Sequence, residues 1–234
     1  MLKFLTAEWR DLILVNYEVD PALLEDRVPH GTELDIHDGR CFVSLVGFMF
    51  LNTRVLGVPI PYHVNFEEVN LRFYVKRETG DEIRRGVCFI KELVPKPAIA
   101  FVAKKLFGEP YETARMWHAN DPGKVSYRCI NFKGINSMKV TRGDKLKTPG
   151  PGSHEEFITE HFWGYTDRGK DRTDEYKVEH PKWELYATRH SKIKVNFAGW
   201  YGKEFAFLKD EKPYSVLLAK GSEIAVYMGR RLPN

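Results

Sequence analysis

From Glu68 to Val75 the chain alternates without a break, with Val69, Leu71, Phe73 and Val75 on one side and Glu68, Asn70, Arg72 and Tyr74 on the other. A period of two predicts a β-strand. Successive same-face side chains on a strand stand about 6.5–7 Å apart, so an acid, an amide, a guanidinium and a phenol share one face. Other segments follow the same logic less cleanly. Arg40 to Phe50 is almost wholly apolar, the pattern of a strand covered on both faces. Residues 82–93, 123–132, 162–166, 174–178, 192–198 and 215–227 are rich in Val, Ile, Phe and Tyr and read as further strands. Asp167-Arg168-Gly169-Lys170 reads as a hairpin turn.

Three segments carry helix signals instead. Asp20 to Arg27 begins with a capping Asp20 and Pro21 in the first turn. Residues 97–107 place Ile99, Val102, Ala103 and Leu106 on one stripe and stop at Gly108. A third helix starts at Ser153, where Ser153 and Glu156 form a capping box, and carries Phe157 and Phe162. Many strands, few helices and no β-α-β alternation predict a mainly β (α+β) fold, an antiparallel barrel or highly curved sheet. The Gly- and Pro-rich stretch around 141–153 is the strongest punctuation in the chain. The strands on its two sides are alike in character, which predicts a long loop within a single domain spanning 1–234 rather than a boundary.

Composition narrows the class. A chain of 234 residues buries a substantial core without staples. The net charge of +4 comes from cations interleaved with acids, and no basic run or stacking motif predicts a nucleic-acid partner. Cys41, Cys88 and Cys129 are odd in number and widely spaced, which fits buried thiols rather than a disulfide framework. Charge interrupts Met1–Glu8 too early for a signal peptide, and no stretch nears the roughly 18 apolar residues of a membrane span. The expectation is a cytoplasmic protein without a membrane partner; self-association stays open.

Candidate chemistry concentrates in few places. Arg72 and Tyr74 beside a carboxylate suit recognition of a small carboxylate or carbonyl compound, although a polar strand face turned to water shows the same alternation. The eight histidines form no H-x-H or H-E-x-x-H pair, so neither a metal nor another cofactor is expected. Ser44 and Ser222 lack a nucleophile-elbow context, and Gly-rich phosphate cradles are absent. At Gly108-Glu109-Pro110-Tyr111 a helix stops and the chain turns, so Tyr111 and Arg115 open the next element at an abrupt junction of the kind that projects into pockets. Trp183, in His180-Pro181-Lys182-Trp183, reads first as a packing residue at a structural corner.

Taken in order, several segments resemble a known family. They are Trp9-Arg10-Asp11-Leu12 with Asn16, Val28-Pro29-His30-Gly31-Thr32-Glu33-Leu34-Asp35, Val43-Ser44-Leu45-Val46-Gly47-Phe48, Phe66 to Val75, Pro110-Tyr111, Ala114-Arg115-Met116 and His180 to Leu185. The pattern is similar to the YqjF-like family, domain of unknown function 2071, related to acetoacetate decarboxylase. The resemblance implies a cone-like antiparallel β barrel with a central pocket. The decarboxylase forms a Schiff base through the first lysine of a Gly-x-Pro-Lys-Lys-x-Ala motif, its pKa lowered by burial and by the second lysine. The comparable stretch here is Gly108-Glu109-Pro110-Tyr111-Glu112-Thr113-Ala114, so Tyr111 and Glu112 stand where the lysines would be. Glu68 is similar in position to the enzyme's pocket glutamate.

A tyrosine cannot form an iminium ion. Of the nearby cations, Lys104 and Lys105 read as the charged side of a helix, and Lys96 sits between two prolines. The expectation is a protein that binds, and in one reading transforms, a small carbonyl or carboxylate metabolite without a lysine Schiff base. Glu68 and Tyr111 are the catalytic candidates. Asn70, Arg72, Tyr74 and Arg115 are the substrate-binding candidates, with Arg72 orienting the anion. A non-enzymatic ligand-binding protein using the same pocket is the alternative, and whether the chain is a lyase-like or acid–base enzyme stays open.

Overall fold

Fifteen strands join one sheet in the computed structural model, which describes Met1–Pro233. In chain order they are β1 (Lys3–Val19), β2 (Glu33–Leu34), β3 (Cys41–Val55), β4 (Val58–Pro59), β5 (Phe66–Glu78), β6 (Ile83–Val94), β7 (Tyr111–Thr113), β8 (Arg115–Asp121), β9 (Lys124–Asn131), β10 (Gly134–Lys147), β11 (Trp163–Asp167), β12 (Thr173–Glu179), β13 (Leu185–Lys194), β14 (Ser215–Tyr227) and β15 (Arg230–Arg231). The α-helices are α1 (Pro97–Leu106), α2 (His154–Thr159) and α3 (Phe197–Tyr201). No helix among the described residues is long and apolar enough to cross a membrane.

The sheet path β12–β11–β6–β5–β3–β1–β14 returns on itself, because β12 also pairs with β14 through Val178–Val226 and Glu179–Ala225. Only those two residue pairs close the ring, and β13, β10, β9 and β8 continue outward from β14, so the mainly β fold is more than a plain barrel. Pairing is antiparallel except where β6 meets β7 and β11. Curvature comes from paired irregularities. Asp11 in β1 has φ 56°, and Gly221 in β14, opposite Arg10, has φ 76°. A Cβ on Gly221 would stand 1.9 Å from the Trp9 carbonyl oxygen, so only glycine fits this bend.

Both faces of the central strands are buried. Val69, Leu71, Phe73 and Val75 pack in an outer core with Tyr127, Met138, Trp200 and Phe205, under the cover of β9, β10 and α3. Their neighbours on β5 face the inside of the ring. The unbroken burial of Cys41–Phe50 has the same cause. The three cysteines are free and buried in or beside this packing.

The sequence-predicted elements differ from the structure in definite places. The expected loop near 141–153 is strand as far as Lys147. Register shifts against β13 after Thr141 and Arg142 absorb the Gly143 region as a bulge, so that glycine marks an irregular strand rather than a connection. Asp20–Arg27 forms two 3₁₀ turns, with Asp20 Oδ1 accepting from the Ala22 amide at 2.9 Å. Ser153 caps α2 as expected, but Glu156 accepts from the Gly152 amide instead of closing the box, and the helix ends at Thr159, short of Phe162. The strand expected at 192–198 ends at Lys194, and Asn196 caps α3 by accepting from the Gly199 amide at 3.2 Å.

Candidate functional site

The ring encloses a cavity of about 270 Å³. Its wall is chiefly aromatic and aliphatic: Trp9 and Leu12 from β1, Phe48 and Phe50 from β3, Phe66 from β5, Phe89 from β6, Ile99 and Phe107 from and after α1, and Trp163 from β11. Into this apolar volume β5 projects Glu68, Asn70 and Arg72. β6 adds Glu92, the turn after α1 adds Glu109, β7 adds Tyr111, and β12 adds Tyr176. Gly164 of β11 faces Tyr176 across the pair, and a Cβ there would lie 2.1 Å from the phenol ring, so the glycine makes room for it.

Of the site candidates expected from sequence, Glu68, Asn70, Arg72 and Tyr111 line this one cavity. The Tyr111 hydroxyl donates to Glu68 Oε2 at 3.0 Å, and Asn70 Nδ2 donates to Glu68 Oε1 at 2.9 Å. Arg72 donates from Nη2 to the Ile158 carbonyl at 3.2 Å, while its buried Nε has no partner among the described residues. Tyr74 keeps to the same strand face but does not reach the cavity. The rings of Phe157 and His161 cover it, and its hydroxyl bonds Ser44 Oγ at 2.6 Å. Arg115 does not reach it either; it is exposed on β8 beside a shallow outer groove. Lys96, Lys104 and Lys105 do not line the cavity, and Glu112 turns outward to Lys91 and Lys133.

Electrostatics follow from burial. Glu68 is 2% exposed, and desolvation pushes its carboxyl up to about 7 against the opposing pull of Asn70, Tyr111 and Arg72. Glu109 is likewise pushed up to about 7 by burial, although the Thr166 hydroxyl donates to it at 2.7 Å. Glu92 is pushed well above the carboxylate range, first by burial and then by Glu109 and Glu68. Burial raises the Tyr111 phenol and lowers His161 and His180 of the cavity wall, His180 to about 4. A carboxyl balanced near neutrality in a water-poor site can give or take a proton at physiological pH.

Sequence reasoning missed four contributors. Glu92 is turned inward by a register slip between β5 and β6, where Leu71 pairs with Lys91 but Arg72 pairs with Phe89. Glu109 and Tyr176 sit in segments read only as turn and strand. His161, read as one of several isolated histidines, is buried against Asp35. Its Nε2 donates to Asp35 Oδ2 at 3.1 Å, and being neutral it keeps a lone pair on an unpartnered Nδ1 at the cavity wall. Trp183 both packs and lines the cavity; it stacks on His180 at 4.2 Å and donates to Ser222 Oγ at 2.9 Å.

Three kinds of similarity accompany this geometry. The chain resembles acetoacetate decarboxylase from Legionella pneumophila over 99% of its own length and 88% of that chain, with a TM-score of 0.72 at 10% identity. An acetoacetate decarboxylase-like enzyme from Sphingomonas wittichii RW1 superposes over 100% and 94% of the two chains, with a TM-score of 0.65 at 14% identity. The enduracididine biosynthesis enzyme MppR, complexed with pyruvate, covers 100% and 91%, with a TM-score of 0.69 at 14% identity. At these identities the likeness establishes the fold. In sequence, the uncharacterized protein YqjF of Bacillus subtilis is 29% identical over 120 residues, 51% of this chain and 48% of that protein, so the match spans about half of the relative. The model of an uncharacterized conserved protein family, domain of unknown function 2071, matches residues 6–223, and the chain belongs to that family.

Proposed function

We propose that the protein binds a small carbonyl or carboxylate compound in the ring cavity and acts on it by acid–base chemistry, without an amine nucleophile. The observation that carries this reading is the contact between Glu68 and Tyr111, a near-neutral carboxyl and a phenol at 3.0 Å inside an apolar enclosure. Glu68 is suited to remove or return a proton beside a carbonyl group, and Tyr111 to move with it as the hydrogen-bond donor. Arg72 holds an unpartnered Nε for an anionic oxygen, and His161 Nδ1 offers an acceptor near it. The binding of pyruvate by one structural neighbour supports the choice of probes.

The reading is tested with pyruvate and acetoacetate by calorimetry and by proton NMR in deuterium oxide. Wild-type protein is expected to bind at least one of them and to exchange its α-protons. Glu68→Gln should retain binding and lose exchange. Arg72→Met should weaken binding about 10- to 150-fold, the loss of one charge-assisted hydrogen bond worth roughly 1.5–3 kcal/mol. Binding without exchange in the wild type would mark a binding protein rather than an enzyme, and no binding of either acid would remove the reading altogether.

A separate expectation concerns the covalent route. Among the described residues no lysine lines the cavity. A nucleophilic lysine needs its pKa lowered by about three units to be neutral at pH 7. Borohydride with pyruvate or acetoacetate should therefore leave the protein mass unchanged, and a reduced adduct mapped to Lys96, Lys104 or Lys105 would restore a Schiff-base mechanism.

A further inference from the structure

Buried carboxylates elsewhere in this protein are matched by cations. Glu175, fully buried, receives Arg77, Arg84 and Arg230 at 2.7–3.3 Å. Asp35, 2% exposed, receives the Arg85 guanidinium at 3.4 Å, with the His161 ring donating to it at 3.1 Å. The cavity breaks this habit. Glu68, Glu92 and Glu109 are 2%, 2% and 4% exposed, and none has a lysine, arginine or histidine within ion-pair distance among the described residues. Arg168, near Glu109, is committed to Asp174 at 3.2 Å. Glu92 Oε2 and Asn70 Oδ1 are buried acceptors without a hydrogen bond among the described residues, the Tyr111 hydroxyl beside Glu92 being spent on Glu68. An orphaned buried acceptor costs roughly 1–3 kcal/mol, so a site that keeps two of them is arranged for donors supplied from outside.

We infer that the Glu92–Glu109–Tyr176 end of the cavity is a subsite for a protonated nitrogen, so that the ligand carries a primary ammonium group on a compact apolar body. A metal ion fits poorly, since no group of three His, Cys, Asp or Glu side chains among the described residues converges as metal ligands do. An ammonium group brings three directed donors, enough for the Glu92 and Asn70 acceptors with one left for Glu109. The aromatic wall, Trp9, Phe89 and Trp163 included, suits both the apolar body and the cation. Size is adequate, because a dry cavity of about 150 Å³ accepts benzene and this one measures about 270 Å³.

The subsite deepens the proposed function in that it takes the same cavity as the binding site, and it leaves the Arg72 end free for an anionic or carbonyl oxygen. Binding is linked to protons. Glu109, pushed up to about 7 by burial, is protonated in part at neutral pH, and burial raises Glu92 in the same direction, so protons leave to solvent as the ammonium group enters. The groups facing them are Glu68 and Arg72 on β5, Cys88 on β6, Tyr111 on β7, Arg168 after β11 and Tyr176 on β12, with His161 and His180 held neutral. Of these, Glu68 and Glu109 are the groups pushed up to about 7, so they change charge between about pH 6 and pH 8.

The test compares benzylamine, benzyl alcohol and benzoate by calorimetry. At about pH 8, benzylamine should bind the wild type at least about tenfold more tightly than benzyl alcohol, about 1.4 kcal/mol. Its apparent enthalpy should differ between phosphate and Tris in the sense of proton release, and its affinity should fall toward pH 6. The double variant Glu92→Gln/Glu109→Gln should erase the preference for the amine over the alcohol, with circular dichroism confirming the fold. If that variant does not fold, the proton release and pH dependence of the wild type decide. Equal binding of amine and alcohol, a preference that survives in the double variant, or benzylamine binding without proton release would each overturn the subsite. Arg72→Met separates the two readings. It should weaken benzoate and spare benzylamine; benzoate unaffected with the amine preference intact would sink the anion end alone.

Discussion

Truncating Glu175 to alanine should cost the fold about 3 kcal/mol, at the lower end of the range for breaking a buried charge cluster because its arginines are partly solvated. Glu175 is 0% exposed on β12 and accepts from Arg84 Nη1 at 3.0 Å, from Arg77 Nη1 at 3.3 Å and from Arg230 Nε at 2.8 Å. Removing the carboxylate leaves three guanidinium groups crowding a vacated buried site. Glu175→Gln keeps the shape and should cost less. The consequence for the site follows from position. The next residue, Tyr176, points to the opposite side of β12 and lines the cavity, and β12 supplies both residue pairs that close the ring on β14. Urea unfolding of the alanine variant measures the cost; a loss below about 1 kcal/mol would show the cluster to be a surface network without structural weight.

How far the site was legible in the sequence depended on whether strand alternation ran unbroken. On β5 it did, so Glu68, Asn70 and Arg72 were assigned to one face, where the structure has them lining a common cavity. Alternation could not say that this face is enclosed; that follows from the ring, which is a long-range property. Tyr74 shows the limit of the rule, since α2 covers the end of the same face. On β6 the slip opposite Leu71 and Arg72 reverses parity. Lys91-Glu92 therefore reads as a charged strand end when only Lys91 meets an outward partner. β1 escaped notice for a related reason. Glu8, Arg10 and Asp11 interrupt its apolar run at a bend with φ 56°, and its pattern resembles no regular strand. Loop composition misled at Gly143, where glycine serves a bulge. The motif stretch 108–114 was informative because its turn geometry is local, and it brought Tyr111 to the cavity with Glu112 outside.

The cavity carboxyls should reveal themselves as a cost to stability that grows with pH. Glu68 titrates at 4.5 when unperturbed and at about 7 in the fold. Below about pH 4.5 the folded and unfolded chains both hold this proton and the residue is neutral in its effect. As pH rises from there, the unfolded chain ionises freely while the folded chain must keep the proton, so stability is lost until the folded group titrates near pH 7. The difference corresponds to a loss on the order of 3 kcal/mol, complete above that pH. Glu109 and Glu92 act in the same direction. His180 acts oppositely: lowered from 6.5 to about 4 by burial, it gains stability for the fold as pH rises through that window. The profile of the wild type therefore mixes opposed slopes, and the informative quantity is the difference between wild type and Glu68→Gln. Glutamine keeps the shape: its carbonyl oxygen can accept from Asn70 while its amide nitrogen donates to the Tyr111 hydroxyl oxygen, and it has no carboxyl proton to lose. The two proteins should be similarly stable near pH 4.5. By about pH 8 the variant should be the more stable, by on the order of 3 kcal/mol in urea unfolding. A residue whose replacement strengthens the fold at working pH is one retained for something other than folding. A difference that stays flat between about pH 5 and pH 8 would mean that Glu68 is solvated or paired in solution, and the acid–base role proposed for it would fall with that result.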